Sequence, residues 1–366
     1  MQIQAAILTA PNTPFRIESV ALDPPKAGEV RVKLAASGIC RSDWRVAIGK
    51  APKPMPIVTG HEGAGIVEAV GAGVTSVQAG DHVTLTWAPI CGDCFYCQRG
   101  KANLCAAYRP AIASGLLDDG RARIHWRGEP VYILAGLGSF AEYVVVREAS
   151  CVRIRRDVSL DVAALVGCAV ATGVGAAMYT AGVSAGESVA VFGAGGIGLN
   201  IIHGAQLCGA HPIIAVDASE AKTALASQFG ATHALPSTAT TVDQIQALTG
   251  GRGVDRAFEA VGMPELQESA FAATRPGGTL TLVGTAPDSS MTNLPGAVIT
   301  RTEKIVRGCS YGSVNPQRDI PLLLDLYCAG KLKLEALITR RYRLDQINEA
   351  YADLLSGELA RGIIVF

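Results

Sequence analysis

The stretch Glu187–Asp217, ESVAVFGAGGIGLNIIHGAQLCGAHPIIAVD, decides the fold. It reads as an apolar strand, a glycine turn, a helix and a second apolar strand. The turn, Gly193-Ala194-Gly195-Gly196-Ile197-Gly198, is a G-x-G-x-x-G pattern. Alone that pattern is weak in a chain with 41 glycines. Between a strand and a helix it has a physical meaning. The first glycine allows a tight turn, the second lets a pyrophosphate approach the backbone, and the third lets helix and strand pack. The N–H groups at the helix start then face the phosphates. Asp217 ends the second strand, 19 positions after Gly198. A carboxylate there suits the adenine ribose hydroxyls and repels a 2′-phosphate, which favours NAD over NADP. Its competing reading is a helix N-cap.

Working outward, Ala218–Phe229 reads as helix, Thr232–Leu235 as strand and Val242–Leu248 as helix. Val254–Ala260 follows as strand, Pro264–Thr274 as helix and Gly278–Gly284 as strand. This alternation predicts an α/β domain with a parallel, doubly wound sheet. The chain before it is β-rich, with short strands such as Glu29–Ala35 and Gly65–Val70 broken by Gly and Pro. From about Tyr311 two helical stretches lead to the strand-like GIIVF, which is expected to return to the first domain. The expected division is therefore 1–169 with 311–366, and 170–310. The apolar strand edge near Gly278–Thr285 is a candidate for pairing between subunits.

Composition narrows the function classes. Hydrophobic residues make up 49% and charged residues 17% of 366 positions, which excludes general disorder. The formal net charge is zero, so nothing points to nucleic acid or an anionic membrane. The opening MQIQAAILTA has no secretory pattern, and a cytoplasmic location is expected. The segment from Val162 to Gly186 carries no charge and is long enough to cross a bilayer. Its glycines and alanines suit a buried helix–turn–helix better.

Four of the ten cysteines, Cys91, Cys94, Cys97 and Cys105, fall within 15 residues as C-x2-C-x2-C-x7-C. Thiolates at such separations can wrap one zinc ion in a closed tetrahedron. An iron–sulfur cluster is the competing reading. Arg99 and Lys101 stand where they could ease the negative charge of four thiolates. A second set is dispersed: Cys40 in GICRSD, His61 and Glu62 in GHEGAGIV, and Cys168 in GCAVATG. A catalytic zinc takes three protein ligands and leaves a position open, and two cysteines with a histidine form one such set. Taken singly, each of these residues is more often structural. The remaining Cys151, Cys208, Cys309 and Cys328 lack metal spacing and read as buried small hydrophobes.

These motifs occur in an order that resembles the zinc-containing medium-chain alcohol dehydrogenases, over nearly the whole chain. The resemblance carries GICRSD, GHEGAGIVEAVGAGV, the four-cysteine lobe, GCAVATGVGA and GAGGIG. It implies a Rossmann cofactor domain beside a β-rich, GroES-like catalytic domain, with NAD and two zinc ions per chain. It favours zinc over iron–sulfur for the lobe. Cys40, His61 and Cys168 would hold the catalytic zinc, with Glu62 just behind it. Asp43 would fix the tautomer of His61, Ser42 would start the proton path, and Trp87 would line the substrate pocket. Thr172 and Val283 would lie near the nicotinamide, Lys222 near the ribose of Asp217, and Arg361 near the pyrophosphate. One departure stands out: the position where many relatives carry a relay histidine is Arg45, which cannot accept a proton near neutral pH.

The activity implied is reversible oxidation of a primary (aromatic or medium/long-chain) or secondary alcohol by a homodimer or homotetramer. The long segment SGLLDDGRARIHWRGEPVYILAGLGSFAEY also occurs in relatives acting on S-(hydroxymethyl)glutathione, an alternative substrate. A zinc-free reductase and a non-catalytic, zinc-stabilised NAD-binding regulator are the competing classes.

Overall fold

The computed structural model describes residues 1–357 and 359–366. The chain divides into two units, Met1–Cys168 with Asn315–Phe366, and Ala169–Val314. These bounds differ from the sequence-based division at Ala169 and at Tyr311–Val314. The second difference has a steric reason. A Cβ on Gly312 would stand 2.4 Å from Ala171 O and 2.7 Å from Thr172 O, so the Tyr311–Ser313 turn is packed onto the start of the second unit.

Among the described residues, the first unit contains a small closed barrel and a seven-stranded sheet. The backbone of the sheet is Glu29–Gly38, where alternate side chains from Val30 to Leu34 turn into the core, as one covered face requires. It pairs antiparallel with Gly63–Val70, placing Val32 opposite Val67 and Ser37 opposite Gly63. On its other side runs the C-terminal strand Arg361–Val365, with Ile363 opposite Gly38 and Val365 opposite Ala36. Val30, Val32, Leu34, Val67, Val83 and Leu85 form the buried interior of this sheet.

The second unit holds a parallel sheet of Val189–Phe192, Ile213–Asp217, His233–Pro236, Val254–Glu259, Thr274–Leu282 and Ile305–Gly308. Numbered along the chain within this sheet, the strands lie in the order 3-2-1-4-5-6. The order reverses between Val189–Phe192 and Val254–Glu259. Such a switch point is where ligands bind, outside the carboxyl ends of the strands.

Three expectations need correction here. The Thr274–Leu282 strand is not an edge, because Ile305–Gly308 pairs along it and takes the edge position, exposed at every residue. The uncharged stretch is one continuous helix, Leu160–Ala181, and not a helix–turn–helix. Its apolar window is 83% buried, as a core helix requires and a lipid-facing one does not. Cys328 is exposed at the end of the Pro316–Cys328 helix and is no buried hydrophobe.

Candidate metal centres and dinucleotide loop

The dispersed set comes together inside the first unit. Cys40 follows the Glu29–Gly38 strand and caps the short helix Arg41–Ala47 in an extended conformation. His61 and Glu62 follow Gly60, whose φ of +89° lies in the left-handed region that glycine tolerates. A side chain on Gly60 would also strike Ser139 Oγ and the Phe140 backbone. Cys168 sits in the π-helical segment Val166–Val170, where the local widening of a helix often marks a functional position. A Cβ on the preceding Gly167 would stand 2.3 Å from Leu85 O, so the helix approaches the His82–Leu85 strand closely there. As a result Cys40, His61, Glu62 and Cys168 are all buried, and their ligand atoms lie within 4.8 Å of one another.

The surroundings aim this set. His61 Nδ1 lies 3.1 Å from Asp43 Oδ1, which also accepts the Gly60 N–H at 2.8 Å. With Asp43 holding Nδ1, Nε2 is the nitrogen left for a metal. Cys40 Sγ is 3.6 Å from Ser42 Oγ, and Ser42 is exposed. Glu62 pairs with Arg361, buried at 5% exposure, while Glu62 Oε1 has no partner among the described residues. Arg361 is therefore not a solvated surface charge. It reaches this position because Ile39 N donates to Gly362 O as the C-terminal strand joins the sheet.

Electrostatics show a centre rich in displaceable protons. A hydrogen bond from the Cys168 thiol, then the charges of His61 and Arg361, hold the Cys40 thiol well below its ordinary range against its burial. The same contact and burial push Cys168 up. Burial opposes a charged His61, but Asp43 and Cys40 outweigh it and raise its pKa well above the usual imidazole value. Burial lifts Glu62 to about 7, with Arg361 pulling the other way. The donor set fits zinc: two sulfurs and one nitrogen at ligating separations, buried, with a carboxylate behind them.

The lobe is built differently. Cys91, Cys94, Cys97 and Cys105 also converge within 4.8 Å, but only Cys105 is buried. Cys94 Sγ and Cys105 Sγ are 3.9 Å apart. Tetrahedral thiolates at Zn–S of about 2.3 Å would be roughly 3.8 Å apart. Backbone N–H groups of Cys97 and Ala106 lower Cys94 to about 6, while burial and the Cys94 sulfur push Cys97 up to about 12. Arg99 does not turn to the sulfurs. Its guanidinium lies 3.8 Å from the Phe95 ring centroid and donates to Phe95 O. Cation–π attraction to an exposed ring holds it there.

In the second unit the glycine loop has the features its spacing predicts. Gly193 has φ of +98°, Gly195 has open space where a Cβ would stand, and a Cβ on Gly198 would be 1.7 Å from Gly193 O. Gly196 and Ile197 open the helix Gly196–Leu207. Asp217 Oδ2 accepts from Ala194 N at 2.8 Å, and Oδ1 from Ser219 N at 2.9 Å, so the carboxylate braces the loop as well as ending its strand. Lys222 is half-buried on the next helix, Glu220–Ala226. Val283 follows the Thr274–Leu282 strand and donates to Glu259 O, at the carboxyl ends of the sheet. Thr172 is buried in the helical turn Ala171–Gly175. In the first unit, Trp87 packs half-buried against the sheet interior, and Arg45 is half-buried two positions beyond Asp43.

Two family models match the chain, the alcohol dehydrogenase GroES-like domain over residues 26–156 and the zinc-binding dehydrogenase over residues 196–328. An NDMA-dependent alcohol dehydrogenase of Amycolatopsis methanolica is 42% identical, covering 100% of this chain and 99% of its own. The chain belongs to the zinc-containing alcohol dehydrogenases. An S-(hydroxymethyl)glutathione dehydrogenase of Komagataella pastoris is 37% identical over 100% of this chain and 97% of its own. The crystal structure of benzyl alcohol dehydrogenase from Acinetobacter calcoaceticus superposes with a TM-score of 0.95 at 33% identity, covering 100% and 99% of the two chains. This chain is thus an oxidoreductase and a zinc-dependent alcohol dehydrogenase, with a GroES-like unit and a Rossmann-like unit. These relatives are alcohol dehydrogenases, which lends no support to the zinc-free reductase or the non-catalytic regulator.

One residue near the metal set escaped sequence reasoning. Tyr351 lies on the buried face of the helix Ile347–Ser356, with Ile347, Ala350 and Leu354. That periodicity marks it as core, and no local motif distinguishes it.

Proposed function

We propose that this enzyme oxidises a primary aromatic or medium/long-chain alcohol, or a secondary one, reversibly with NAD, and that Cys40, His61 and Cys168 hold its catalytic zinc. The observation that carries the reading is the buried two-cysteine, one-histidine donor set with its ligand atoms within 4.8 Å. Zinc bound there would act as a Lewis acid toward the alcohol oxygen and lower its pKa. Ser42 would take the hydroxyl proton, standing exposed beside Cys40. Bound NAD would supply the hydride acceptor, so that an alcohol and NAD would give aldehyde or ketone, NADH and a proton. An arginine at position 45 is no proton acceptor, so the proton would leave Ser42 for ordered water or another group. Asp43 orients His61, and the Glu62–Arg361 pair backs the site.

Asp217 would meet the ribose hydroxyls, with Lys222 nearby, and its charge disfavours the 2′-phosphate of NADP. Gly193, Gly195, Gly196, Ile197 and Gly198 would hold the pyrophosphate, with Arg361 as a further contact and Thr172 and Val283 toward the nicotinamide. Trp87 would form an apolar wall of the substrate pocket. Cys91, Cys94, Cys97 and Cys105 would hold the structural zinc. The exposed edge Ile305–Gly308 is the candidate for strand pairing in a homodimer or homotetramer. A cytoplasmic location accords with the family.

The test is a panel of aliphatic, benzylic and S-hydroxymethyl thiol alcohols with NAD and NADP, followed by reduced-cofactor absorbance. Benzylic or long-chain alcohols with NAD are expected to lead. Preference for the glutathione adduct would favour the second reading, to which the 37% relative lends support. NDMA belongs in the panel because the 42% relative is NDMA-dependent. In Asp217→Gly the NAD-to-NADP preference should fall by roughly 10–100-fold, the scale of one removed charge clash; an unchanged ratio would overturn the role of Asp217.

A further inference from the structure

Three aromatic rings cage Tyr351. Phe15 stacks at 5.3 Å between centroids, Trp44 stacks at 5.5 Å, and Phe140 meets it edge-on at 6.3 Å. Two of these walls adjoin Asp43. Trp44 is its neighbour in the Arg41–Ala47 helix. Phe140 packs on Gly60, whose N–H donates to Asp43; a Cβ on Gly60 would stand 2.9 Å from the Phe140 ring.

Two buried polar atoms, one on Tyr351 and one on Asp43 next to Trp44, are chemically complementary. The Tyr351 hydroxyl is buried and has no hydrogen-bond partner among the described residues. Among the described residues Asp43 Oδ2 is also buried without a partner, because both Gly60 N and His61 Nδ1 engage Oδ1. One is a donor and the other an acceptor, and buried polar groups of this kind are nearly always paired. Burial and then the charge of Asp43, ahead of Cys40 and Glu62, hold the phenol well above its ordinary pKa, which accords with Asp43 as a near charged neighbour. A carboxylate gripped at one oxygen can pivot about it. A donor to the second oxygen fixes its plane, and with it the ring of His61.

We propose that Tyr351 is a positioning residue of the metal centre: its hydroxyl donates to Asp43 Oδ2 across one water and locks the carboxylate that orients His61. The proposal rests on the reading of Cys40, His61 and Cys168 as zinc ligands. Metal analysis of the wild-type enzyme tests that reading separately, since two zinc ions per chain are required before the variants are compared.

Tyr351→Phe keeps the ring stack and removes only the hydroxyl. In the zinc-loaded enzyme it should lower Tm by about 2–4 °C. It should also speed chelator removal of the Cys40–His61–Cys168 zinc by about three- to ten-fold, below the 10–100-fold typical of a ligand's direct partner. Release from the four-cysteine lobe should not change. Tyr342→Phe serves as control, because the Tyr342 hydroxyl donates to Asp353 at 2.7 Å and not to Asp43. A Tm that stays level or rises in Tyr351→Phe, as removal of a truly unpaired buried hydroxyl predicts, would overturn the proposal. So would equal acceleration at both zinc sites. Should the variant fail to fold, NMR of tyrosine-labelled wild-type holoenzyme decides: a slowly exchanging, downfield phenolic proton on Tyr351 is expected, and its absence refutes the bond.

Discussion

The two cysteine clusters use the same element of chemistry in opposite settings. The lobe gathers Cys91, Cys94, Cys97 and Cys105 from 15 consecutive residues and leaves three of them partly exposed. The other cluster draws Cys40 and Cys168 from positions 128 apart and buries every member. A short loop can close around an ion at little entropic cost and with little help from the rest of the fold. A buried set of distant ligands exists only after the sheet, the long helix and the C-terminal strand have formed. The first arrangement suits a staple. The second gives control over what surrounds the ion, through Asp43 behind His61 and Arg361 behind Glu62.

Four experiments can break that contrast or sharpen it. The largest effect is expected from Cys168→Ala. Alcohol oxidation should fall by at least about a thousandfold, because Lewis-acid stabilisation amounts to several kcal/mol. NAD binding should persist, measured by fluorescence titration, and turnover within a factor of a few of wild type would remove the buried cluster from the mechanism. Asp43→Asn should weaken zinc at the buried cluster by about 10–100-fold. Competition with a chromogenic chelator measures this, and loss of the lobe zinc at the same chelator concentration would erase the distinction between the sites.

Cys97→Ala should have the reverse pattern. One zinc per chain should remain, Tm should fall by roughly 6–12 °C for a loss of about 3 kcal/mol, and turnover per folded molecule should stay within a few-fold. Collapse of turnover in the folded fraction would make the lobe part of the active site. The smallest effect is one of reactivity. In chelator-treated protein, Cys94 should be alkylated with a midpoint near pH 6, since the thiolate is the nucleophile and is populated above its pKa. Cys97, pushed up to about 12, should lag far behind at neutral pH, and Cys168 should be protected by burial. Mass spectrometry of labelled peptides reads all three.

The same contrast explains what was legible in the sequence. Local spacing alone marked the lobe, and local context marked the glycine loop, because in both the chemistry is carried by consecutive residues. The α/β alternation located the parallel sheet, since each strand and helix declares itself within a dozen residues. Edges and long-range partners did not declare themselves. Nothing in Thr274–Leu282 says that Ile305–Gly308 will cover it. Nothing around Glu62 says that Arg361 will pair with it, and family resemblance pointed Arg361 only toward the cofactor. Tyr351 is the extreme case, a residue whose helical periodicity describes it fully as core while its buried hydroxyl has no protein partner among the described residues.

The place of Arg361 in the sheet also sets a clock. Glu62 and its guanidinium partner are 299 positions apart. At synthesis rates of about 5–20 residues per second, roughly 15–60 s separate their appearance on the ribosome. Val314 is made 47 positions before Arg361, so for roughly the last 2–9 s of that interval the contiguous unit Ala169–Val314 is complete, while the metal-binding unit still lacks the strand that brings its buried cation. For the nascent chain, the order of birth is therefore cofactor-binding unit first and buried metal centre last.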